Sequence, residues 1–396
     1  MKILEINERY EESGGQSIFF FEIIDALREK GHEVYSCGFA DKARQAESEL
    51  IFKDTKNFFL RQLKRFTFDF STYFKLRKWI KEINPEVIHL HGINKSTASI
   101  LLACRGYKTV MTVHNYGLVC PTIWCVHKDD LKVCEGGIGW KCVAHKCLPR
   151  HVFLVLYVYW KILRYLLDWN VDVFISPSRE LEKYLIKHNF KGVINQPHFV
   201  NIDKIRCSTK KTKDIDLLYV GRLRKEKGIS SLIKAMGIVV KKKPDVKLVI
   251  VGQGYEKNDL DNLIKELGLQ NSVTFIDEIP FDKVKEYYSR AKILVLPSIY
   301  MEQFGLVGIE AMVCGVPAIA SNRGGIPEWC IHNKTGLLFE PNNVDDLSEK
   351  IILLLEDDVL RETLAKNGKE FVKKFDKDKQ VNSFLSKINS QEGQKG

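Results

Sequence analysis

Residues 298–321 read SIYMEQFGLVGIEAMVCGVPAIAS. The run is mostly apolar, and its end, PAIAS, has the composition of a buried strand. Yet it carries two glutamates, Glu302 and Glu310, with seven residues between them. A carboxylate among apolar side chains is costly unless something pairs with it. Just upstream, ILVLPS reads as an interior strand. A helical pattern starts near Gly305 or Leu306 and stops at Gly315, with Pro317 beyond it. The order is therefore strand, loop, helix, strand, the repeating unit of a parallel sheet covered on both faces. Glu302 falls in the loop 299–304, and Glu310 about one turn inside the helix.

The same alternation extends in both directions. IDLLYVGRL, VKLVIVGQG and VTFIDEI precede the opening stretch, and KILEIN, HEVYSCGF, EVIHLHG, KTVMTVHN and VDVFISPS occupy the first half. The helical pattern 17–30 ends at Gly31. A chain of 396 residues exceeds one ordinary core and suits two domains. The expected fold is α/β: two Rossmann-like, doubly wound domains facing a central cleft, with ligands at the carboxyl ends of the strands. The first domain is 1–197, with a Cys-rich insert at 120–147, and the second is 198–375. Residues 376–396 are expected to form an amphipathic helix that packs back towards the first domain, followed by a disordered tail.

Composition is that of a folded soluble protein, 45% hydrophobic and 28% charged. The formal charge of +11 and pI of about 9.0 favour acidic partners: nucleic acid, anionic lipid or phosphorylated small molecules. Residues 51–164 hold 19 Lys and Arg against 7 Asp and Glu, so this segment carries the whole net charge. The N-terminus has only a short apolar run, read as a first strand and not a signal peptide. Ten cysteines without a secretory signal point to a reducing, cytoplasmic compartment. The most apolar window, 151–167, is broken by Lys161 and Arg164 and reads as a helix that does not span a bilayer. Residues 58–82 interleave aromatics, Phe66, Phe68, Phe70 and Trp79 among them, with Lys and Arg. Together with the 151–167 helix they are expected to rest on an anionic membrane surface, against the alternatives of an amphipathic helix packed on the sheet and a solvated basic face.

Candidate chemistry collects after the strands. The helix start at Phe304, Gly305 and Leu306 offers free N–H groups and a positive dipole end, an anion site suited to phosphate. Arg222 follows strand 215–220 and Lys227 opens the next helix, so both reach for a diphosphate. Glu302 and Glu310 are poor phosphate ligands but good acceptors for sugar hydroxyls. Together these residues suit a nucleotide sugar. Two other classes stay open. Gly252-x-Gly254 is a partial dinucleotide pattern, with Lys257 where a third glycine belongs, and leaves an NAD-dependent oxidoreductase in play. Cys120, Cys125, Cys134, Cys142 and Cys147 with His127 and His145, packed into 28 residues, leave a non-enzymatic zinc or nucleic-acid module. Asp214-Ile215-Asp216 spells a D-x-D metal motif but lies at the start of a strand, the wrong end for chemistry.

GRLRKEKG followed by EQFGLVGIEAMVCGVPAIAS resembles glycosyltransferase family 4, the retaining group 1 glycosyltransferases of GT-B fold. NRGGIPE and TGLLFEP extend the resemblance, and GGQS, VIHLHG, VHN and FISPS carry it more thinly through the first half. It implies a retaining glycosyltransferase that moves a hexosyl unit from a UDP-, GDP- or dTDP-sugar to a saccharide or lipid-linked saccharide in surface polysaccharide or glycolipid synthesis. Nucleic acid is not an implied partner. By the resemblance, Glu310 holds the ribose, Glu302 the donor sugar, and Arg222 and Lys227 the leaving diphosphate, with the N–H groups of Phe304 to Leu306. Gly14 and Gly15 let the chain pass close to donor and acceptor. His114 sits beside the transferred sugar, with His91 behind it. No cofactor is required for catalysis. Some members share a cysteine pattern that singles out Cys120, Cys134, Cys142 and Cys147, a possible structural zinc site. Reduced, packed thiols explain the cluster equally well.

Overall fold

The computed structural model describes residues 1–11, 14–54, 67–92, 96–205, 207 and 212–390. The chain divides into two compact units, Met1–His198 together with the chain from Asp378, and Phe199–Lys377.

In the first unit the strands are β1 (Lys2–Ile6), β2 (Glu33–Ala40), β3 (Arg44–Ala46), β4 (Glu49–Lys53), β5 (Val87–Leu90), β6 (Thr109–Thr112), β7 (Val173–Ser176) and β8 (Val193–Asn195). They form one sheet in the order β3-β4-β2-β1-β5-β6-β7-β8. All neighbours are parallel except β3 and β4. Every residue of β5, β6 and β7 is buried, as strands covered on both faces must be. Strand order reverses between β1 and β5, so the loops after these two strands flank a topological switch point.

The Gly15–Glu29 helix ends as its sequence predicts. Gly31 takes φ 80°, and the Gly31 and His32 N–H groups return to the Arg28 and Leu27 carbonyls. The Lys377–Ser390 helix buries Val381, Phe384 and Ile388. Its Phe384 ring packs 5.0 Å from His89, and Gln196 Nε2 donates to Gln380 Oε1 at 2.6 Å.

The second unit holds β9 (Ile215–Val220), β10 (Leu248–Val251), β11 (Val273–Ile276), β12 (Ala291–Leu296), β13 (Ala318–Ser321) and β14 (Gly336–Phe339). All pairs are parallel, in the order β11-β10-β9-β12-β13-β14. Numbered within the unit this is 3-2-1-4-5-6, the dinucleotide-fold order, with its switch point between β9 and β12. Leu217, Leu248, Ile293 and Ile319 form the centre of one core face, and Leu218, Leu294 and Ala320 belong to the other.

Cys207 and Cys314 are bonded as a disulfide across 107 residues of sequence, with Cα atoms 5.2 Å apart. No helix among the described residues is long and apolar enough to cross a membrane.

Candidate active site

In the second unit the opening stretch of the sequence becomes β12, a loop, the Leu306–Val313 helix and β13. Glu302 is only 4% exposed, and both its carboxylate oxygens accept hydrogen bonds. Oε1 accepts from Lys227 Nζ at 2.7 Å and from Ser298 Oγ at 2.7 Å, and Oε2 accepts from Tyr300 OH at 2.5 Å. Lys227 Nζ also donates to Tyr300 OH at 2.9 Å. Burial raises the Glu302 carboxyl, but Lys227, Tyr300 and Ser298 outweigh it and hold the group below the ordinary carboxylate range. Lys227, expected on a diphosphate, and Glu302, expected on a sugar, thus hold each other across the switch point of this unit.

Three glycines keep this arrangement tight. Gly228, at φ 69°, lets the Lys227 turn lie against the end of β12; a Cβ there would meet the Pro297 carbonyl oxygen at 1.9 Å. Gly324 passes against the Glu302 backbone, and Gly325 N–H donates to the Glu302 carbonyl at 2.7 Å. The NRGGIPE segment therefore clamps the loop that carries Glu302. Gly308 lies under the Trp329 ring, where a Cβ would be 2.0 Å from the ring edge, and Trp329 Nε1 donates to the Phe304 carbonyl at 2.5 Å. Gly305 takes φ 86° at the helix N-terminus, as the strand-to-helix turn requires.

Glu310 is half-buried on the Leu306–Val313 helix, and its Oε2 accepts from Tyr288 OH at 2.7 Å. Burial, with Glu310 beside it, pushes the Tyr288 hydroxyl well above its ordinary range, so it donates as a neutral phenol. Arg222 is exposed directly after β9, and its carbonyl accepts from Tyr219 OH at 3.0 Å. Ser298, Tyr300, Tyr288 and Trp329 were not singled out by sequence. Tyr300 and Ser298 lie in the quoted stretch, where two hydroxyls beside an apolar-flanked acid were the available signal.

The glycines of the partial dinucleotide pattern have a packing role. A Cβ on Gly252 would meet the Gly221 carbonyl at 2.0 Å, and one on Gly254 the Leu223 carbonyl at 2.1 Å. They let the loops after β9 and β10 cross. The D-x-D carboxylates are occupied elsewhere: Asp214 pairs with Arg290 at 2.6 Å and Asp216 with Lys292 at 2.7 Å.

In the first unit, His91 and His114 follow β5 and β6 at the switch-point end. His91 Nδ1 meets His114 Nε2 at 2.9 Å, and His91 Nε2 meets the buried Glu5 carboxylate at 2.7 Å. His198 stacks on His114 at 5.2 Å between ring centroids. Glu5 and His198 were missed by sequence reasoning, because Glu5 reads as one polar position in a strand. Gly14 (φ 80°) and Gly15 are exposed at the start of the Gly15–Glu29 helix.

The Cys-rich insert is pinned to the Arg179–Lys187 helix, where Tyr184 OH donates to the Cys134 carbonyl at 2.9 Å. Cys120, Cys134, Cys142 and Cys147 line one small cavity together with His127. Their sulfurs are not drawn together: among the described residues, the His, Cys, Asp and Glu groups of three or more with ligand atoms within 4.8 Å of one another are Glu5–His89–His91 and His127–Asp129–His145.

Of the aromatics expected to face a membrane, Phe66 lies outside the described residues. Trp79 faces the core at 4% exposure, packed edge-on to Tyr35, because it falls on the buried stripe of the Phe70–Ile83 helix. Phe70 and Phe74 point outward at 66% and 64% exposure. The larger apolar surface is on the Arg150–Asn170 helix, which buries only Phe153, Leu167 and Asn170. Leu154, Val158, Ile162, Tyr165 and Trp169 recur at helical spacing and are each at least half exposed.

Two family descriptions match consecutive parts of the chain: Glycosyltransferase Family 4 over residues 13–203 and Glycosyl transferases group 1 over residues 201–371. An uncharacterized glycosyltransferase of Methanocaldococcus jannaschii is 46% identical over 101 residues, 26% of this chain and 28% of that protein. The capsular polysaccharide biosynthesis glycosyltransferase CapM of Staphylococcus aureus is 33% identical over 170 residues, 43% of this chain and 42% of that protein. The chain thus matches less than half the length of these curated relatives. The solved structure of Anabaena HepE in complex with UDP-glucose superposes with a TM-score of 0.75 at 19% identity, covering 98% of this chain and 100% of the other.

Proposed function

Since the chain belongs to the family 4, group 1 glycosyltransferases, with their GT-B fold of two Rossmann-like units, we propose that it transfers a hexosyl unit from a nucleotide sugar with retention of configuration. The acceptor is a saccharide or lipid-linked saccharide in surface polysaccharide or glycolipid synthesis; capsular polysaccharide biosynthesis is the setting named for CapM. One observation carries this reading: a buried carboxylate and a lysine, Glu302 and Lys227, sit at the switch point of a dinucleotide-type sheet beside a glycine-capped helix start.

The roles follow from charge. Negative charge grows on the leaving diphosphate as the glycosyl bond breaks. Arg222, Lys227 and the N–H groups of Phe304, Gly305 and Leu306 are fixed positive groups for that charge. The Lys227–Glu302 pair keeps the lysine aimed before the donor arrives. Glu302 then accepts from a sugar hydroxyl, and Glu310, steadied by Tyr288, accepts from the ribose. Gly14 and Gly15 leave the backbone open to the ligands. His114 contacts the transferred sugar, with His91 behind it. The leaving phosphate oxygen takes the acceptor proton, so the reaction needs no divalent metal. A thermal-shift screen with UDP-, GDP- and dTDP-sugars tests the donor assignment: one nucleotide should raise the melting temperature of the wild type, and raise that of Glu310→Ala by less at the same concentration. No shift with any of them would remove it.

Two further assignments accompany this reading. Cys120, Cys134, Cys142 and Cys147 hold a structural zinc. Four thiolates around one cavity suit that ion, and binding would draw the sulfurs to about 3.8 Å from one another. The protein also works as a peripheral membrane enzyme at the cytoplasmic face. The apolar row on the Arg150–Asn170 helix is flanked by Arg150 and Lys161, the pattern of a helix that rests in the headgroup layer of an anionic bilayer. Liposome flotation should show binding to anionic vesicles at low salt. It should weaken at high salt and in Val158→Asp/Ile162→Asp; equal binding by that variant would place the contact elsewhere.

A further inference from the structure

Glu5 is a carboxylate in the middle of a parallel sheet, wholly buried, with three histidines arranged outward from it. His89 Nδ1 lies 3.0 Å from Glu5 Oε2, and His91 Nε2 lies 2.7 Å from the same oxygen. His89 Nε2 meets Thr112 Oγ1 at 2.7 Å. His91 Nδ1 then meets His114 Nε2 at 2.9 Å. The His91 and His114 rings lie 21° from parallel, and His198 closes the far side of His114 at the same angle. His89, His91 and His198 are buried, whereas His114 is partly exposed.

Proton bookkeeping along this chain has one solution. An ionised carboxylate only accepts, so the nitrogen of each histidine that faces Glu5 carries a hydrogen. His91 is then protonated at Nε2. Kept neutral, it presents a bare Nδ1 to its neighbour. His114 must supply the hydrogen of that contact from its own Nε2, which leaves His114 Nδ1 bare. The charge states support this. Burial pushes Glu5 up, but His89 and His91 outweigh it and hold the carboxyl at about 2. Burial, then His89, lowers His91 to about 4, and burial with His198 and His91 takes His114 well below its ordinary value.

We infer that Glu5 is a positioning residue that acts through His91 to fix His114 in the tautomer with a bare Nδ1, so that His114 receives a hydrogen bond from a hydroxyl of the bound sugar. The step from tautomer to sugar rests on the proposed function; the tautomer itself does not. The relay makes the first unit selective. A hydroxyl can donate to the bare nitrogen, whereas a deoxy position has no proton to give, and a carboxylate or carbonyl oxygen would face a lone pair. The chain spans 109 residues of sequence, from Glu5 to His114, and is assembled because β1, β5 and β6 are neighbours in the sheet.

The test needs no substrate. Nitrogen-15 spectra of histidine-labelled wild-type protein at neutral pH, with His114 assigned by its loss in His114→Asn, report which ring nitrogen carries the proton. The expected result is a single His114 tautomer with the proton on Nε2. A proton on Nδ1, or a charged His114 ring, overturns the inference with no variant involved. In Glu5→Gln the side chain loses its charge and can turn an NH2 donor towards either histidine, so the fixed tautomer should give way to a mixture at His114. An unchanged His114 signal in a folded Glu5→Gln protein also overturns it. With an active donor in hand, Glu5→Gln should lower kcat by about tenfold, the loss of one hydrogen bond to the reacting sugar, while the nucleotide affinity stays as in wild type. If the tautomer is as expected but no nucleotide sugar binds, the functional reading fails and the relay stands.

Discussion

Replacing Lys227 by methionine removes the only cation that contacts Glu302 among the described residues, while leaving most of the volume in place. Glu302 is 4% exposed, and the Lys227 side chain is 19% exposed. Breaking a buried ion pair by deleting one partner costs about 3–5 kcal/mol, because the other charge remains without compensation. Here Ser298 and Tyr300 still donate to the carboxylate, and the lysine end is partly hydrated, so the expected loss is about 2–3 kcal/mol. The sign of the pH effect follows. Without Lys227, burial dominates and raises the Glu302 carboxyl in the folded protein above its unfolded value. The deficit is then full at neutral pH and shrinks as pH falls towards the unfolded carboxyl range, where the group is neutral in both states. Adding Glu302→Gln removes the stranded charge and should bring stability back to within about 1 kcal/mol of wild type. Urea unfolding read by hydrogen exchange in peptides from β9 and β12 isolates the second unit. A single variant as stable as wild type at pH 7, or a double variant no better than the single one, would refute the claim that the pair is electrostatically coupled.

Glu310→Ala should weaken nucleotide binding by about 10- to 100-fold, the loss of a hydrogen bond to a charged group, whereas Glu302→Ala should mainly lower kcat; binding and turnover titrations separate the two. Elemental analysis of untagged protein purified without chelator should find one zinc per chain, and Cys134→Ala/Cys142→Ala should lose it; metal-free, fully active protein would favour packed thiols. The first unit should lose stability as pH falls from about 6.5, where unfolded histidines protonate, towards about 4, where buried His91 does, because the unfolded chain binds those protons first. A flat profile of first-unit unfolding over that range would contradict a neutral, buried His91.

The sheet strands that sequence identified are the ones whose physics is local. Runs such as LLYV and ILVL are apolar on both faces, and helices with glycine stops separate them. β3 and β8 are three residues long, too short for a pattern to accumulate, and β3 is an edge strand that pairs antiparallel only with β4. Site residues divide in the same way. Glu302 and Glu310 stand out because an acid in an apolar run needs an explanation nearby. Their partners come from elsewhere: Lys227 is 75 residues from Glu302, and Tyr288 lies on the preceding helix, 22 residues from Glu310. Glu5 drew no notice, since a single polar residue within ILEI fits any strand with one wet face. That this face is dry follows from the strand order, which no short stretch encodes. The outward row on the Arg150–Asn170 helix was legible as apolar but not as exposed, because periodicity gives a stripe without saying which way it points.

The proposed function requires these residues to cleave a nucleotide sugar. The most direct measurement follows nucleoside diphosphate release from UDP-, GDP- and dTDP-hexoses, in EDTA, with membrane and saccharide extracts as acceptors, for wild type and Arg222→Ala. One donor should release its diphosphate in the wild type without added metal, and Arg222→Ala should lose most of that rate while keeping its fold. Release from no donor, equal release by the variant, or strict dependence on added magnesium or manganese would contradict the account.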